Sequence, residues 1–175
     1  MQGDALLLKQ EWRRQLRAQY AAVSPCDLSK AVCALPAYMQ AQTVAMYMAD
    51  GFEVSVSGLL SDADKIVLLP RCEESGMVFC RYDGNLAPDR FGILAPTTPP
   101  WRGAIDLMIV PALAFDKKGG RLGRGGGFYD RALAEHKGIS VGVIREAFLF
   151  DELPMQEHDR RVGHIVTEKG VYTFL

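Results

Sequence analysis

The chain has little from which a metal-held or disulfide-held fold could be built. Its four cysteines, Cys26, Cys33, Cys72 and Cys80, include no C-x-x-C pair, and only three histidines occur in 175 residues. Neither a zinc site nor a disulfide framework is supported, and the thiols are expected to be reduced and mostly buried. Long hydrophobic runs are also missing. The apolar stretch Ala5 to Leu8 is too short for a signal-peptide core and leads into Lys9, Glu11, Arg13 and Arg14. Nothing else approaches the roughly 20 apolar residues of a membrane helix, so a cytosolic protein is expected. Nor does either sign of charge dominate: 20 Lys and Arg face 21 Asp and Glu, a net charge of -1. That balance removes any global electrostatic reason for a nucleic-acid or membrane partner.

What is present is ordinary globular composition, 49% hydrophobic and 23% charged, long enough for one core without covalent staples. No repeat, low-complexity tract or linker divides it, which predicts a single domain over residues 1–175. Between Ala5 and Tyr20, Leu8, Trp12, Leu16 and Tyr20 recur every fourth position along one helix face, and Lys9, Arg13 and Arg17 form a second row. Ser24-Pro25-Cys26-Asp27 has the form of a helix start, and Pro36 limits that helix. The apolar runs at 43–48, 65–69, 105–110 and 139–144 are too short for core helices and predict buried strands, with an edge or hairpin strand at 77–82. Helical stretches are expected at 55–60 and 128–136, and a proline-bearing loop at 85–103. Strands alternating with helices imply an α/β fold, a three-layer α/β/α arrangement around a mainly parallel sheet.

The densest signal lies between Gly119 and Asp130. Six of the nine residues from Gly119 to Gly127 are glycine, interleaved with Arg121 and Arg124, between a buried strand and a helix start. Glycine lets a ligand approach main-chain amides that a Cβ would shield. Amides at a helix N-terminus together with arginines favour a phosphate. The loop lacks the G-K-[ST] ending of a Walker A motif, and Phe128 stands where G-x-G-x-x-G needs its last glycine.

The chain here resembles the 5-formyltetrahydrofolate cyclo-ligases, also called methenyltetrahydrofolate synthetases. The family pattern D-x-x-x-V-P-x-x-A-F-D, then G-x-R-L-G-x-G-x-G-[FY]-Y-D, is met by Asp106 to Asp116 and by Gly119 to Asp130. Weaker family features run from end to end: Lys9 with Arg13, Glu53-Val54, Pro70, Leu153-Pro154, His158-Asp159, and Ile165 to Glu168. The chain departs from the pattern at Ala95, where many members carry Glu, and at Gly163, where they carry Asp.

The resemblance implies ATP-dependent conversion of 5-formyltetrahydrofolate to 5,10-methenyltetrahydrofolate, with ATP as co-substrate, Mg²⁺ as cofactor and a reduced folate as substrate. It assigns to ATP the pair Lys9 and Arg13 and the run Arg121, Leu122, Gly123, Arg124, Gly125, Gly126, Gly127, Phe128 and Tyr129, with Arg121 and Arg124 as the catalytic cations. Met48, Glu53 and the loop tip, Arg124, Gly125, Gly126, Gly127 and Phe128, are assigned to the folate, and Asp130 and Asp159 to the metal. A monomer is favoured, and His158 is expected to orient Asp159. Read from the residues alone, the basic row fits a solvated helix face, Asp130 a first-turn helix acid, Asp159 a surface charge and Glu53 a helix-start acid. A non-catalytic nucleotide or phosphometabolite sensor is the main rival on the same scaffold. A sugar-phosphate isomerase or acyl-CoA enzyme would require a carboxylate or histidine base in the cleft.

Overall fold

A computed structural model of the chain describes residues 2–174. Helix α1 (Gln2–Tyr20) is followed by two short helices, α2 (Ser29–Cys33) and α3 (Pro36–Gln40), and by the first strand, β1 (Thr43–Ala45). A 3-10 turn (Ser57–Ser61) leads to β2 (Ile66–Glu73) and β3 (Gly76–Arg81), then a small hairpin, β4 (Leu86–Pro88) and β5 (Leu94–Pro96). The central strand β6 (Leu107–Val110) precedes β7 (Ala114–Asp116), β8 (Arg121–Leu122) and helix α4 (Phe128–Glu135). The chain finishes with β9 (Ile139–Val143), a 3-10 turn (Glu146–Phe148), β10 (Leu149–Phe150), β11 (His164–Val166) and β12 (Val171–Thr173).

Seven strands form one sheet in the order β12-β11-β9-β6-β1-β2-β3. The four inner pairings are parallel and the two edge pairings, β2 with β3 and β11 with β12, are antiparallel. Successive strand residues point to opposite faces, and both faces are buried. Val44, Val67, Leu107 and Ile109 pack with α2 and α3 through Val32, Leu35 and Tyr38. Ala45, Leu68, Met108 and Val110 pack on the other side with Leu16 and Tyr20 of α1. This two-sided burial explains why the inner strands are continuous apolar runs, and it gives the expected three-layer α/β/α architecture.

Local details differ from expectation for identifiable reasons. The second helix begins at Ser29, because Cys26 to Leu28 are bridged to Ser55: Ser55 N donates to the Cys26 carbonyl at 2.8 Å and Leu28 N to the Ser55 carbonyl at 2.9 Å. Asp27 still acts locally, accepting from Ser29 N at 2.8 Å and from Ser55 Oγ at 2.6 Å. The proline-bearing loop contains the β4–β5 hairpin, a two-stranded ribbon whose outer edges tolerate Pro88 and Pro96. The cysteines are all free thiols, but only Cys80 is fully buried, Cys26 and Cys72 are half-buried and Cys33 is exposed. On α1, Leu16 and Tyr20 are buried as expected, whereas Leu8 is 49% exposed and the neighbouring Lys9 is 4% exposed. The buried stripe thus turns by one residue toward the helix start.

Close packing across the sheet generates a stability prediction. A Cβ built on Gly142 in β9 would lie 2.5 Å from Cζ of the fully buried Phe115. Gly142→Ala should therefore lower unfolding free energy by about 1–3 kcal/mol, measured by urea titration, and Phe115→Leu in that background should recover part of the loss. An unchanged midpoint in the single variant would contradict this packing.

Candidate active site

Beyond the strand ends the chain encloses a cleft of 720 Å³. Its floor is the glycine loop. Arg121 is fixed by β8, which pairs antiparallel with β7 and places Arg121 opposite Phe115. Leu122 is buried in the core beside it. The chain then turns through Gly125 at φ 106° and Gly127 at φ 66°, both left-handed conformations that favour glycine. Between them the Gly126 carbonyl accepts from Arg131 Nη2 at 3.2 Å, and a Cβ on Gly126 would meet the Phe128 ring at 2.9 Å. Gly127 caps α4, whose first turn carries Asp130. The amides of that first turn lack intrahelical acceptors, which makes the helix start a favourable place for an anion.

Helix α1 closes one side. Lys9 Nζ donates to Asp159 Oδ2, a carboxylate 150 positions further along the chain, and both side chains are almost fully buried. Asp159 Oδ2 also accepts from Gln156 N at 2.6 Å. One turn on, Arg13 Nε donates to the Gly123 carbonyl at 2.8 Å, tying helix and loop together. Arg121 pairs with Asp130 at 3.0 Å and is nearly buried, and its Nε is fully enclosed with no hydrogen-bond partner among the described residues. A buried guanidinium donor without a partner is costly in a finished core and suited to a site that receives an anion.

The opposite side is built from the segment after β1. Arg124 reaches Asp50 at 2.5 Å and Glu53 at 3.2 Å. Burial pushes the Glu53 carboxyl up to about 7 against the opposing pull of Arg124, and Asp50 adds to the rise. Burial likewise raises the Tyr129 hydroxyl above its ordinary range, with the Glu53 charge reinforcing it, and that hydroxyl has no hydrogen-bond partner among the described residues.

All of the expected site residues line this single cleft: Lys9 and Arg13 from α1, Met48 and Glu53 after β1, the loop residues Arg121, Leu122, Gly123, Arg124, Gly125, Gly126 and Gly127, then Phe128, Tyr129 and Asp130 of α4, and Asp159. Lys9 and Arg13 thus leave the solvated face that a basic row suggests, while Arg17 of the same row is exposed. His158 is correspondingly peripheral, 74% exposed with Nε2 at 3.8 Å from Asp159 Oδ1, too far for a hydrogen bond. Asp159 is instead oriented by Lys9 and Gln156. Trp101 stays off the cleft wall and donates to the Ala104 carbonyl at 3.2 Å. Ala95 is buried in β5, and Gly163 leaves room for a Cβ, whose nearest neighbour would be the Ser140 carbonyl at 3.6 Å.

Two features of the wall escaped the sequence reading. Asp50 lies next to a Gly51 turn and carried no pattern of its own. Phe91, Ile93 and Leu94 are largely exposed and overhang the cleft from the β4–β5 hairpin, with Phe91 edge-on to Phe128 at 6.3 Å between centroids. Their exposure would be hard to anticipate, although three large apolar residues clustered in a proline-bearing loop were a usable hint.

Comparison with known proteins gives one answer. Residues 7–168 match the profile of the 5-formyltetrahydrofolate cyclo-ligase family. A 5-formyltetrahydrofolate cyclo-ligase of Mycolicibacterium smegmatis is 37% identical over 73% of this chain and 74% of its own length. One of Escherichia coli is 32% identical over 78% and 84%. Among solved structures, the Aquifex aeolicus 5,10-methenyltetrahydrofolate synthetase superposes with a TM-score of 0.82 at 30% identity, covering 95% of this chain and 92% of that one. A Mycoplasma pneumoniae 5,10-methenyltetrahydrofolate synthetase shares the fold, with a TM-score of 0.67 at 21% identity.

The buried Glu53 carboxyl makes stability depend on pH. Raised to about 7 in the folded chain, it binds its proton more tightly there than in the unfolded chain. Its favourable contribution is therefore fully present below about pH 4.5 and lost as pH rises through about 7. Glu53→Gln should gain stability relative to wild type between pH 5 and pH 8, on the order of 3 kcal/mol at most, read from urea unfolding at both pH values. An identical pH dependence in the two proteins would contradict the burial of this charge.

Proposed function

The chain belongs to the 5-formyltetrahydrofolate cyclo-ligase family, and from that premise we propose that its cleft closes 5-formyltetrahydrofolate to 5,10-methenyltetrahydrofolate at the expense of ATP, releasing ADP and phosphate. The observation that carries the assignment of residues is the convergence of four cations, Lys9, Arg13, Arg121 and Arg124, with the glycine loop on one wall system. In this reading the whole chain acts as one domain, a cytoplasmic monomer whose partners are small molecules.

Closing the ring requires the formyl oxygen to depart, and an amide oxygen is a very poor leaving group. Transfer of the γ-phosphoryl group of ATP to that oxygen makes it a phosphate. N10 then attacks the activated carbon and gives up its proton, and the C–O bond breaks with loss of inorganic phosphate. No protein nucleophile is needed. The protein aligns the formyl oxygen with the phosphoryl group and stabilises the charge on the phosphoryl oxygens. Arg121 fits that role, since it lines the cleft and its enclosed Nε has no hydrogen-bond partner among the described residues. Lys9 and Arg13 fit the remaining phosphates from one face of α1, and the amides from Gly123 to Phe128 complete the cradle. Met48 and Glu53 take the pterin, whose ring donors suit a carboxylate acceptor.

Mg²⁺ fits the donor set in the form that nucleotide enzymes use, held largely by phosphate oxygens and water with one or two protein carboxylates. Asp130 and Asp159 both face the cleft. No group of three or more candidate ligands exists among the described residues, which suits a nucleotide-borne ion better than an all-protein cage. When bound, the ion would neutralise phosphate charge. Asp130 and Asp159 would hold it, exchanging their present contacts with Arg121 and Lys9.

With 5-formyltetrahydrofolate, Mg²⁺ and ATP, the protein should yield the methenyl chromophore and ADP in equal amounts. Arg121→Ala and Asp130→Asn should each reduce turnover at least about tenfold with unchanged circular dichroism, as expected for lost charge stabilisation. Wild-type rates in both variants would refute the assignment of these two residues.

A further inference from the structure

A second cavity, of 340 Å³, lies behind the segment that carries Met48, Asp50 and Glu53 and shares those residues with the cleft as a common wall. It opens beyond the ends of β1 and β9, on the side of a parallel sheet where α/β proteins bind their ligands. Its lining is mainly apolar, with Tyr20, Val23 and Leu60 among the contributors. Its cation is Arg145, which directly follows β9 and Ile144 and precedes the second 3-10 turn.

Arg145 is not committed to the fold. Its Nη2 is fully enclosed, and among the described residues it has neither a hydrogen-bond partner nor an ion pair. The neighbouring acid is occupied elsewhere: the Glu146 carboxylate accepts from Thr167 Oγ1 and from the Tyr172 hydroxyl, each at 2.7 Å. Across the cavity, Asp50 and Glu53 are paired with Arg124. The ring of Tyr20, stacked on Phe148 at 4.0 Å between centroids, is held in place by its hydroxyl donating to the Leu113 carbonyl at 3.0 Å. An enclosed guanidinium nitrogen without an acceptor, at the edge of a largely apolar cavity, is matched by an anion on an apolar body.

We infer that this cavity is a carboxylate-binding site in which Arg145 holds the acid and the Tyr20 side the apolar portion. Two sources share that chemistry. One is the aminobenzoyl-glutamate end of the folate itself, passing from the cleft over the Met48–Glu53 wall, which rests on the functional reading above. The other is a separate aryl carboxylate, which does not.

The test uses the full chain and three variants at one position: Arg145→Lys, Arg145→Gln and the apolar Arg145→Met. If the folate tail is bound, Gln and Met should raise KM for 5-formyltetrahydrofolate about tenfold, the equivalent of one charge-assisted hydrogen bond. In that case kcat stays within about twofold, Lys restores much of the affinity, and 5-formyltetrahydropteroate, which lacks the glutamate, shows the same KM in all forms. If the ligand is separate, KM is unchanged, but millimolar benzoate raises the melting temperature of wild type and of Arg145→Lys and not of Gln or Met. The benzoate arm reads even if the protein turns over no folate. Unchanged KM with no benzoate-dependent shift in wild type would overturn the inference, as would equal loss in the Lys and Met variants, which would show packing and not charge.

Discussion

The arrangement depends most on one buried ion pair, Lys9 with Asp159, which joins the first helix to the segment just before the last two strands. Removing a cation and a carboxylate from water costs several kcal/mol per ion, and such a pair often contributes little net stability. Its position explains it better than its energy does. The pair holds α1 across the glycine loop, Arg13 can then reach the Gly123 carbonyl, and the cleft acquires a wall that no local segment could supply. The fold would tolerate an apolar pair at that position, but the cleft would lose a cation and a carboxylate together.

The same pattern recurs around the cleft. Arg121 pairs with Asp130, and Arg124 with Asp50 and Glu53. The cations and carboxylates that line the cleft thus neutralise one another. Charges held in this way are preorganised without leaving the site strongly charged. Under the proposed function, a bound nucleotide would offer the cations phosphate oxygens in place of these carboxylates, and Asp130 and Asp159 would then be free to hold a nucleotide-borne ion. Among the described residues, the enclosed Arg121 Nε and the Tyr129 hydroxyl are left without a hydrogen-bond partner in this cleft.

Much of this was legible in the sequence, for physical reasons. The inner strands are buried on both faces, so 43–48, 65–69, 105–110 and 139–144 read as unbroken apolar runs, and the parallel sheet followed from their alternation with helices. The glycine loop was legible because few other purposes require so many residues without a Cβ beside two arginines. Lys9 and Arg13 were not legible as site residues by pattern alone, since a basic row on a helix usually faces solvent. Only the resemblance drew them in, and their contacts lie 150 and 110 positions further along the chain, beyond the reach of any local pattern. Errors arose where long-range pairing overrode a local signal. Ser24 to Asp27 has the composition of a helix cap, yet its backbone is engaged by Ser55. Asp50 and Arg145 carry no motif, and their surroundings exist only once the strands are assembled.

In the proposed reaction, the cleft activates an amide oxygen by phosphoryl transfer. This step is tested most directly by following that oxygen. With ¹⁸O in the formyl group of 5-formyltetrahydrofolate, turnover in ordinary water with MgATP should deliver the label to inorganic phosphate, detected by mass spectrometry as one heavy oxygen per phosphate released. Label appearing in water, with unlabelled phosphate, would mean that the oxygen leaves without being phosphorylated and would contradict the account.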